Sequence, residues 1–328
     1  MHILVTGAAG MIGAKLTAAL AARGHVGGAE ITGLTLVDQV APTLPTGVPG
    51  AALAVDIADP AAAPALIGQR PDVVVHLAAV VSGVAEAEFD LGYDVNLGGT
   101  AQLLRAIAAE ADYRPRWVQT SSIAVFGTPL PDPIPDAHPL EPLTSYGTQK
   151  AMGELMTNDL SRRGMIDGVS LRLPTICVRP GKPNGAASSF FSGIVREPLN
   201  GEEAVLPVPE DVRHWHASPR AAVGFLLRAM EMDLGPLGPR RALSLPGVSC
   251  TVAEQIAALE RVAPGASDLI RREPDDAVMR IVETWPRDFA PERARSLGFE
   301  AEPDFDAILR AYVEDDLGGA IPFLAGRA

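Results

Sequence analysis

Lysine is scarce in this chain of 328 residues: Lys15, Lys150 and Lys182 are the only three among 27 basic residues. Any motif that requires a lysine is therefore more informative here than in an average sequence. Basic runs are also missing, and 40 acidic residues against 27 basic ones leave a formal net charge of −13. That balance makes nucleic acid and anionic membrane surfaces poor partners and suits a soluble protein. Only two cysteines occur, Cys177 and Cys250, with neither a disulfide framework nor a zinc-type spacing. A reduced, cytoplasmic setting fits that usage. No apolar run approaches the roughly 18 residues needed to cross a bilayer, which speaks against a membrane protein. The apolar start, MHILVTGAAGMIGAKL, lacks a basic flank and is broken by glycines, so a strand, turn and helix describe it better than a signal peptide.

What is present is core-forming material: 47% of the residues are hydrophobic. The length suggests two domains or one large one. Short β-branched runs predict strands over 2–6, 33–38, 72–79 and 116–121, and helices are expected over 11–23, 95–111 and 145–163. Apolar strands alternating with helices predict an α/β fold, a Rossmann-type doubly wound parallel sheet buried on both faces. The proline-rich stretch 128–143 predicts an extended loop, and no internal repeat is visible. Beyond residue 172 the pattern loosens and charges become dense from about 271. A cofactor domain is expected over 1–171, with 212–250 returning to it. A smaller substrate-binding lobe is expected from 172–211 and 251–328.

Gly7, Gly10 and Gly13, in TGAAGMIG, follow the first strand and open the first helix around Met11 and Ile12. In that context the glycines permit a tight turn, close approach to a pyrophosphate and close packing of helix on strand. The helix N-terminus supplies N–H groups and a favourable dipole. Asp38 ends the second strand, 25 positions after Gly13, where an acidic residue would hold the adenosine ribose hydroxyls. Its charge would repel a 2′-phosphate and the next residue is Gln39, so NAD rather than NADP is predicted. Asp56 and Ile57 are candidates to meet the adenine. Leu77, Ala78 and Ala79, small or apolar residues at a strand end, are candidates to let backbone approach the cofactor.

Tyr146 precedes Lys150 by one helical turn, in YGTQK, which places phenol and ammonium on one face. A free tyrosine ionises near about 10, and a neighbouring cation lowers that value, giving a base usable near neutral pH. With four tyrosines and three lysines in the chain, this spacing is uncommon by chance. Ser121 and Ser122 lie at the end of a strand, where open α/β sheets bind ligands, and Ser122 can hydrogen-bond a substrate oxygen. No Gly-x-Ser-x-Gly elbow surrounds either serine, which disfavours a hydrolase. His214 and His216 alternate on a strand, but no third metal ligand is apparent, and no metal is expected.

From TGAAGMIG through YGTQK to LRLPTICVRPG, the chain resembles the extended short-chain dehydrogenase/reductase superfamily, the NAD-dependent epimerase/dehydratase family. The resemblance implies that Tyr146 is the catalytic base. It implies that Lys150 tunes that base and binds the nicotinamide ribose, and that Ser122 is the catalytic hydroxyl, supported by Ser121. It further implies that Pro174 and Thr175 line the nicotinamide, and that Asn96 sits behind the site. Ile123 and Ala124 replace the acidic pair that dehydratases carry. Arg213 and His216 match part of a nucleotide-sugar motif whose acidic residue is missing here. The segments EITGLTLVD, SYGTQKAMGEL and PTICVRPGKPNGAASSFFSGIVREPLNGEEAVLPV resemble the sugar-acid-oxidising D-erythronate dehydrogenase group. That resemblance implies oxidation of D-erythronate at C2, and a homodimer built on the catalytic helix. A nucleotide-sugar epimerase and a non-catalytic NAD sensor are the alternatives. A sugar acid needs a cation for its carboxylate. Arg179, Lys182, Arg213 and His216 are the candidates for it, with Ser82 and Asn184 for hydroxyls.

Overall fold

The computed structural model describes residues 1–181 and 188–326. Six strands of the first half, β1 (His2–Thr6), β2 (Gly33–Asp38), β3 (Gly50–Ala54), β4 (Val73–His76), β5 (Arg116–Ser122) and β6 (Asp167–Leu173), enter one sheet. Beyond them lie β7 (Thr175–Ile176), β8 (Arg213–Ala217), β9 (Ala242–Ser244) and β10 (Val248–Thr251). The sheet order is β3–β2–β1–β4–β5–β6–β9, with every pair parallel. This is the doubly wound order, reversing direction between β1 and β4, and ligands bind at the carboxyl ends beside that reversal.

The principal helices are α1 (Met11–Arg23), α2 (Thr100–Ala109), α3 (Ser145–Arg162), α4 (Ser189–Leu199), α5 (Pro219–Glu231), α6 (Val252–Val262) and α7 (Phe305–Asp316). Side chains of α1 and α5 pack with Ile3, Val5, Leu34 and Val75 on one face of the sheet. Leu103, Leu104 and Ile107 of α2 pack on the other face with Leu4, Val37, Val74 and Trp117. Burial on both faces explains why β1 and β4 read as short apolar runs. Side-chain caps fix several helix starts: Thr144 accepts from Gly147 N at 3.0 Å, and Thr251 with Glu254 forms a capping box.

The elements follow the expected order, with shifted bounds. The strand expected over 72–79 ends at His76, and Leu77–Ala79 is open chain. The helix expected from 95 begins as a π-helical segment at Tyr93–Gly99 and continues as α2. The proline-rich loop carries a two-residue strand, Ile134–Pro135, paired with Phe289–Ala290. Segment 212–250 divides rather than returning whole. Helix α5 and strand β9 join the cofactor domain, while β8 and β10 form a separate three-stranded sheet with β7. A second core, including Phe191, Ile194, Leu259, Phe305 and Ile308, fills the smaller lobe.

One buried ion pair ties the catalytic helix to the sheet. Arg172 of β6 donates from Nε and Nη2 to the Glu154 carboxylate of α3, at 2.9 and 2.8 Å. The partner of Arg172 across β5 is Ser121, whose Oγ donates to the same carboxylate at 2.6 Å. Removing one partner leaves an uncompensated buried charge, which costs about 3–5 kcal/mol. Arg172→Met is therefore expected to lower the unfolding free energy by about 3 kcal/mol or more, read from urea denaturation. A loss below about 1 kcal/mol, typical of an exposed pair, would show that this pair does not anchor the helix.

Candidate active site

The glycine turn is built for close backbone contact. Gly7 has φ +74°, and a Cβ there would lie 2.6 Å from Ala78 N. A Cβ on Gly13 would stand 2.2 Å from Gly7 O, so helix and strand can meet only at glycine. Helix α1 starts at Gly10 with no side-chain cap, while Ala9 and Gly10 are exposed. A helix start without a side-chain cap leaves backbone N–H groups that suit an anion. Asp38, half-buried at the end of β2, accepts from Ala9 N at 3.0 Å and from Gln39 N at 2.7 Å. The Asp38 carboxylate is thereby fixed against the glycine turn. Asp56 is exposed just past β3, whereas Ile57 is buried in the core and filled against Gly99. These residues fit a dinucleotide.

A polar chain lies beneath the turn. Thr100 Oγ1 donates to Asn96 O at 2.7 Å, so it accepts from His76 Nε2 at 2.8 Å. His76 Nδ1 then accepts from Thr6 Oγ1 at 2.7 Å. Burial, and secondarily the charge of Lys150, lowers the His76 pKa to about 3, so the ring stays neutral. Asn96 accepts from Val80 N at 2.8 Å, and donates to Val80 O at 3.2 Å and to Gln149 Oε1 at 2.8 Å. It fixes the chain after Leu77, Ala78 and Ala79 from behind and works through Val80. Motif spacing did not reveal Gln149 or His76, because their roles depend on packing between distant elements.

The reacting groups meet where β5 ends and α3 begins. Ser122 Oγ accepts from Ala124 N at 3.1 Å and shares a hydrogen bond with the Tyr146 hydroxyl. Gly147 explains the tight fit: a Cβ there would lie 2.1 Å from Ala124 O. Burial raises the Tyr146 pKa, while Arg179 and then Ser122 draw it down. The Lys150 ammonium donates to Thr120 O at 3.0 Å and stands 5.6 Å from the Tyr146 ring centroid. Burial also lowers Lys150, to about 8. Arg179 is half-buried, donating from Nε to Ile176 O and from Nη2 to Ser188 Oγ, both at 3.0 Å.

Three substrate candidates are placed elsewhere. Ser121 is buried and spends its hydroxyl on Glu154. Arg213 pairs with Asp132 and fastens the proline-rich loop to β8. His216 is buried among Phe191, Phe305 and Gln255 in the core of the lobe. Strand β8, which carries it, is the middle strand of its three-stranded sheet. Ser82 opens a short helix, Ser82–Ala87, that packs on α3. Pro174 is buried and Thr175 half-buried, two residues past the point where Leu173 pairs with Ser122. Lys182 and Asn184 lie outside the described residues. Among the described residues, no cluster of three metal-ligating side chains occurs.

A doubly wound cofactor domain with Ser122, Tyr146 and Lys150 at its carboxyl edge defines a dinucleotide-dependent enzyme of the short-chain dehydrogenase/reductase type. The NAD dependent epimerase/dehydratase family matches residues 3–219, and the chain belongs to that family. NAD is the cofactor of the site. A D-erythronate dehydrogenase of Cupriavidus necator is 48% identical over 96% of this chain and 98% of its own. One from Haemophilus influenzae is 39% identical over 97% and 100%. A crystal structure described as a nucleoside-diphosphate-sugar epimerase from Agrobacterium tumefaciens superimposes with a TM-score of 0.96. It has 55% identity and covers 98% of this chain and 96% of that one.

Because Asp38 repels a 2′-phosphate, NADH is expected to bind at least about tenfold tighter than NADPH in a fluorescence titration. Asp38→Ala should narrow the difference, and tighter NADPH binding by the unaltered protein would refute this role of Asp38.

Proposed function

We propose that this protein oxidises D-erythronate at C2, giving the 2-oxo acid and NADH. The observation that carries this reading is the half-buried Arg179, whose charge acts on the Tyr146 phenol. A guanidinium at that place suits a small acid, whose carboxylate lies one bond from the reacting carbon. The relatives from C. necator and H. influenzae support the choice of acid through their names. NAD, when bound, accepts the hydride from the substrate carbon. Ser122 hydrogen-bonds the reacting oxygen, and Tyr146 removes its proton as the carbonyl forms. Lys150 holds the strand end through Thr120 O and stands where the nicotinamide ribose is expected. Arg179 orients the carboxylate, with Ser82 available for a more distant hydroxyl. Holding these groups in one geometry supplies much of the rate.

The name of the A. tumefaciens structure favours an epimerase as a second reading. An epimerase interconverts sugars without net NADH. In this chain Arg213 is engaged by Asp132, and His216 is in the lobe core, so the nucleotide-sugar motif does not form a binding surface. The described cysteines are free and buried, consistent with action in the cytoplasm on sugar-acid metabolism. A homodimer is supported by Phe89, Met152 and Leu155, large apolar residues left exposed on α3 and on the short helix Phe89–Gly92 beside it.

D-Erythronate should drive net NADH formation, followed by absorbance, and Tyr146→Phe should reduce kcat by about a thousandfold or more. Absence of NADH with four-carbon sugar acids, alongside turnover of a nucleotide sugar, would establish the epimerase instead.

The sign of the Arg179 effect follows from its charge. The base acts when deprotonated, so kcat/KM rises with pH through the Tyr146 pKa. Removing the cation raises that pKa. Arg179→Met is expected to move the rising limb to higher pH and to raise KM for D-erythronate roughly tenfold or more. An unshifted limb with unchanged KM would remove Arg179 from the site.

For the dimer, sedimentation should give twice the chain mass. Leu155→Glu with Met152→Glu should give a monomer, and an unaltered mass would place the interface elsewhere.

A further inference from the structure

Thr175 and His214 form a contact that the reaction as described does not use. Thr175 stands two residues past Leu173, the register partner of Ser122, so it lies just beyond the carboxyl end of β6. That hydroxyl is 2.7 Å from His214 Nε2, and His214 Nδ1 is 2.8 Å from Pro286 O. A carbonyl oxygen can only accept, so Nδ1 carries the ring hydrogen and Nε2 carries a lone pair. Burial lowers the His214 pKa to about 4, against the opposing hydrogen bond to Pro286, and the charge of Arg179 lowers it further. The imidazole therefore remains neutral in this one tautomer. Phe191 stacks on it at 5.2 Å with an interplanar angle of 3°, and Trp285 lies 5.2 Å away on another side, so the ring has little freedom.

With Nε2 an acceptor, Thr175 must donate to it, and the Thr175 oxygen has only lone pairs left to offer. Such an oxygen cannot hold a carboxylate. It can receive an N–H. We propose that His214 is a positioning residue: by taking the Thr175 hydroxyl hydrogen, it keeps the Thr175 oxygen as a pure acceptor for the carboxamide N–H of the nicotinamide. Arg179, on the same side of the site, is left to the anionic end of the substrate. His214 belongs to β8 and Pro286 to the C-terminal portion, so the smaller lobe sets the polarity of a group at the cofactor's edge. The proposal rests on NAD binding at this edge. Its readout uses no substrate, so an error in the identity of the sugar acid leaves it testable.

The test compares calorimetric binding of NAD with binding of its 3-acetylpyridine analogue, in which a methyl group replaces the carboxamide NH2. His214→Phe keeps a ring between Phe191 and Trp285 but removes the acceptor, and Thr175→Val removes the oxygen. Each is expected to weaken NAD by roughly three- to tenfold, while leaving the analogue and ADP-ribose unchanged. The double variant should lose no more than either single one, because both break the same contact. His214→Gln, which has both an acceptor and an N–H donor, should retain most of the preference for NAD. If His214→Phe does not fold, Thr175→Val and His214→Gln carry the comparison. Parallel weakening of NAD and the analogue would overturn the proposal. So would unchanged NAD binding in Thr175→Val, with or without a higher KM for D-erythronate.

Discussion

The buried Glu154 carboxylate is the contact on which the site depends. It takes two hydrogen bonds from Arg172 of β6 and one from Ser121 of β5, so a single side chain joins the catalytic helix to two neighbouring strands. Glu154 lies one turn beyond Lys150 and two beyond Tyr146. Whatever fixes its position therefore fixes theirs. Gly147 completes the clamp at the other end of the same face, where the helix backbone comes too close to Ala124 O for any side chain.

Around that clamp, the polar interior is arranged as directed contacts with few alternatives. The chain through Thr6, His76, Thr100 and Asn96 has one consistent direction of donation. It links the strand before the pyrophosphate turn to the helix behind the site, and Gln149 extends it to the catalytic helix. Directed contacts of this kind rigidify their members, and Gln149 Nε2 at the end of the chain is a buried donor with no hydrogen-bond partner among the described residues. Positive charge is distributed just as sparingly. Lys150 is held by a strand-end carbonyl, and the charge of Arg179 draws the Tyr146 phenol down against its burial. In a protein with a net charge of −13, binding of an anionic cofactor and a small acid relies on these local groups and the N–H groups of α1.

Much of this was legible from spacing. The glycines of the first turn, Asp38 at the end of the second strand and the Tyr146–Lys150 pair all sit in short segments whose geometry is dictated locally. Glu154 could have been found by the same rule, since it continues the one-turn spacing from Tyr146 through Lys150. What Ser121, Arg213 and His216 meet was not legible, because residue type and neighbourhood do not reveal direction. Ser121 alternates with Ser122 across the strand and so points to the opposite face. Arg213 meets Asp132 across 81 residues of chain. The same limitation hid His214, whose proximity to Thr175 and Pro286 depends on the small sheet of the lobe.

The sequence by itself determined the parallel α/β order, the glycine turn that opens α1, the NAD cofactor and the one-turn spacing of Tyr146 and Lys150. Each follows from patterns within about one strand–turn–helix unit, where covalent geometry and periodicity leave few options. Tertiary structure decided what the Lys150 ammonium and the Glu154 carboxylate meet, which serine is buried, and which direction each hydroxyl donates. Those outcomes depend on burial and on partners that the chain brings together from 30 to 80 residues apart. No local rule specifies such pairings.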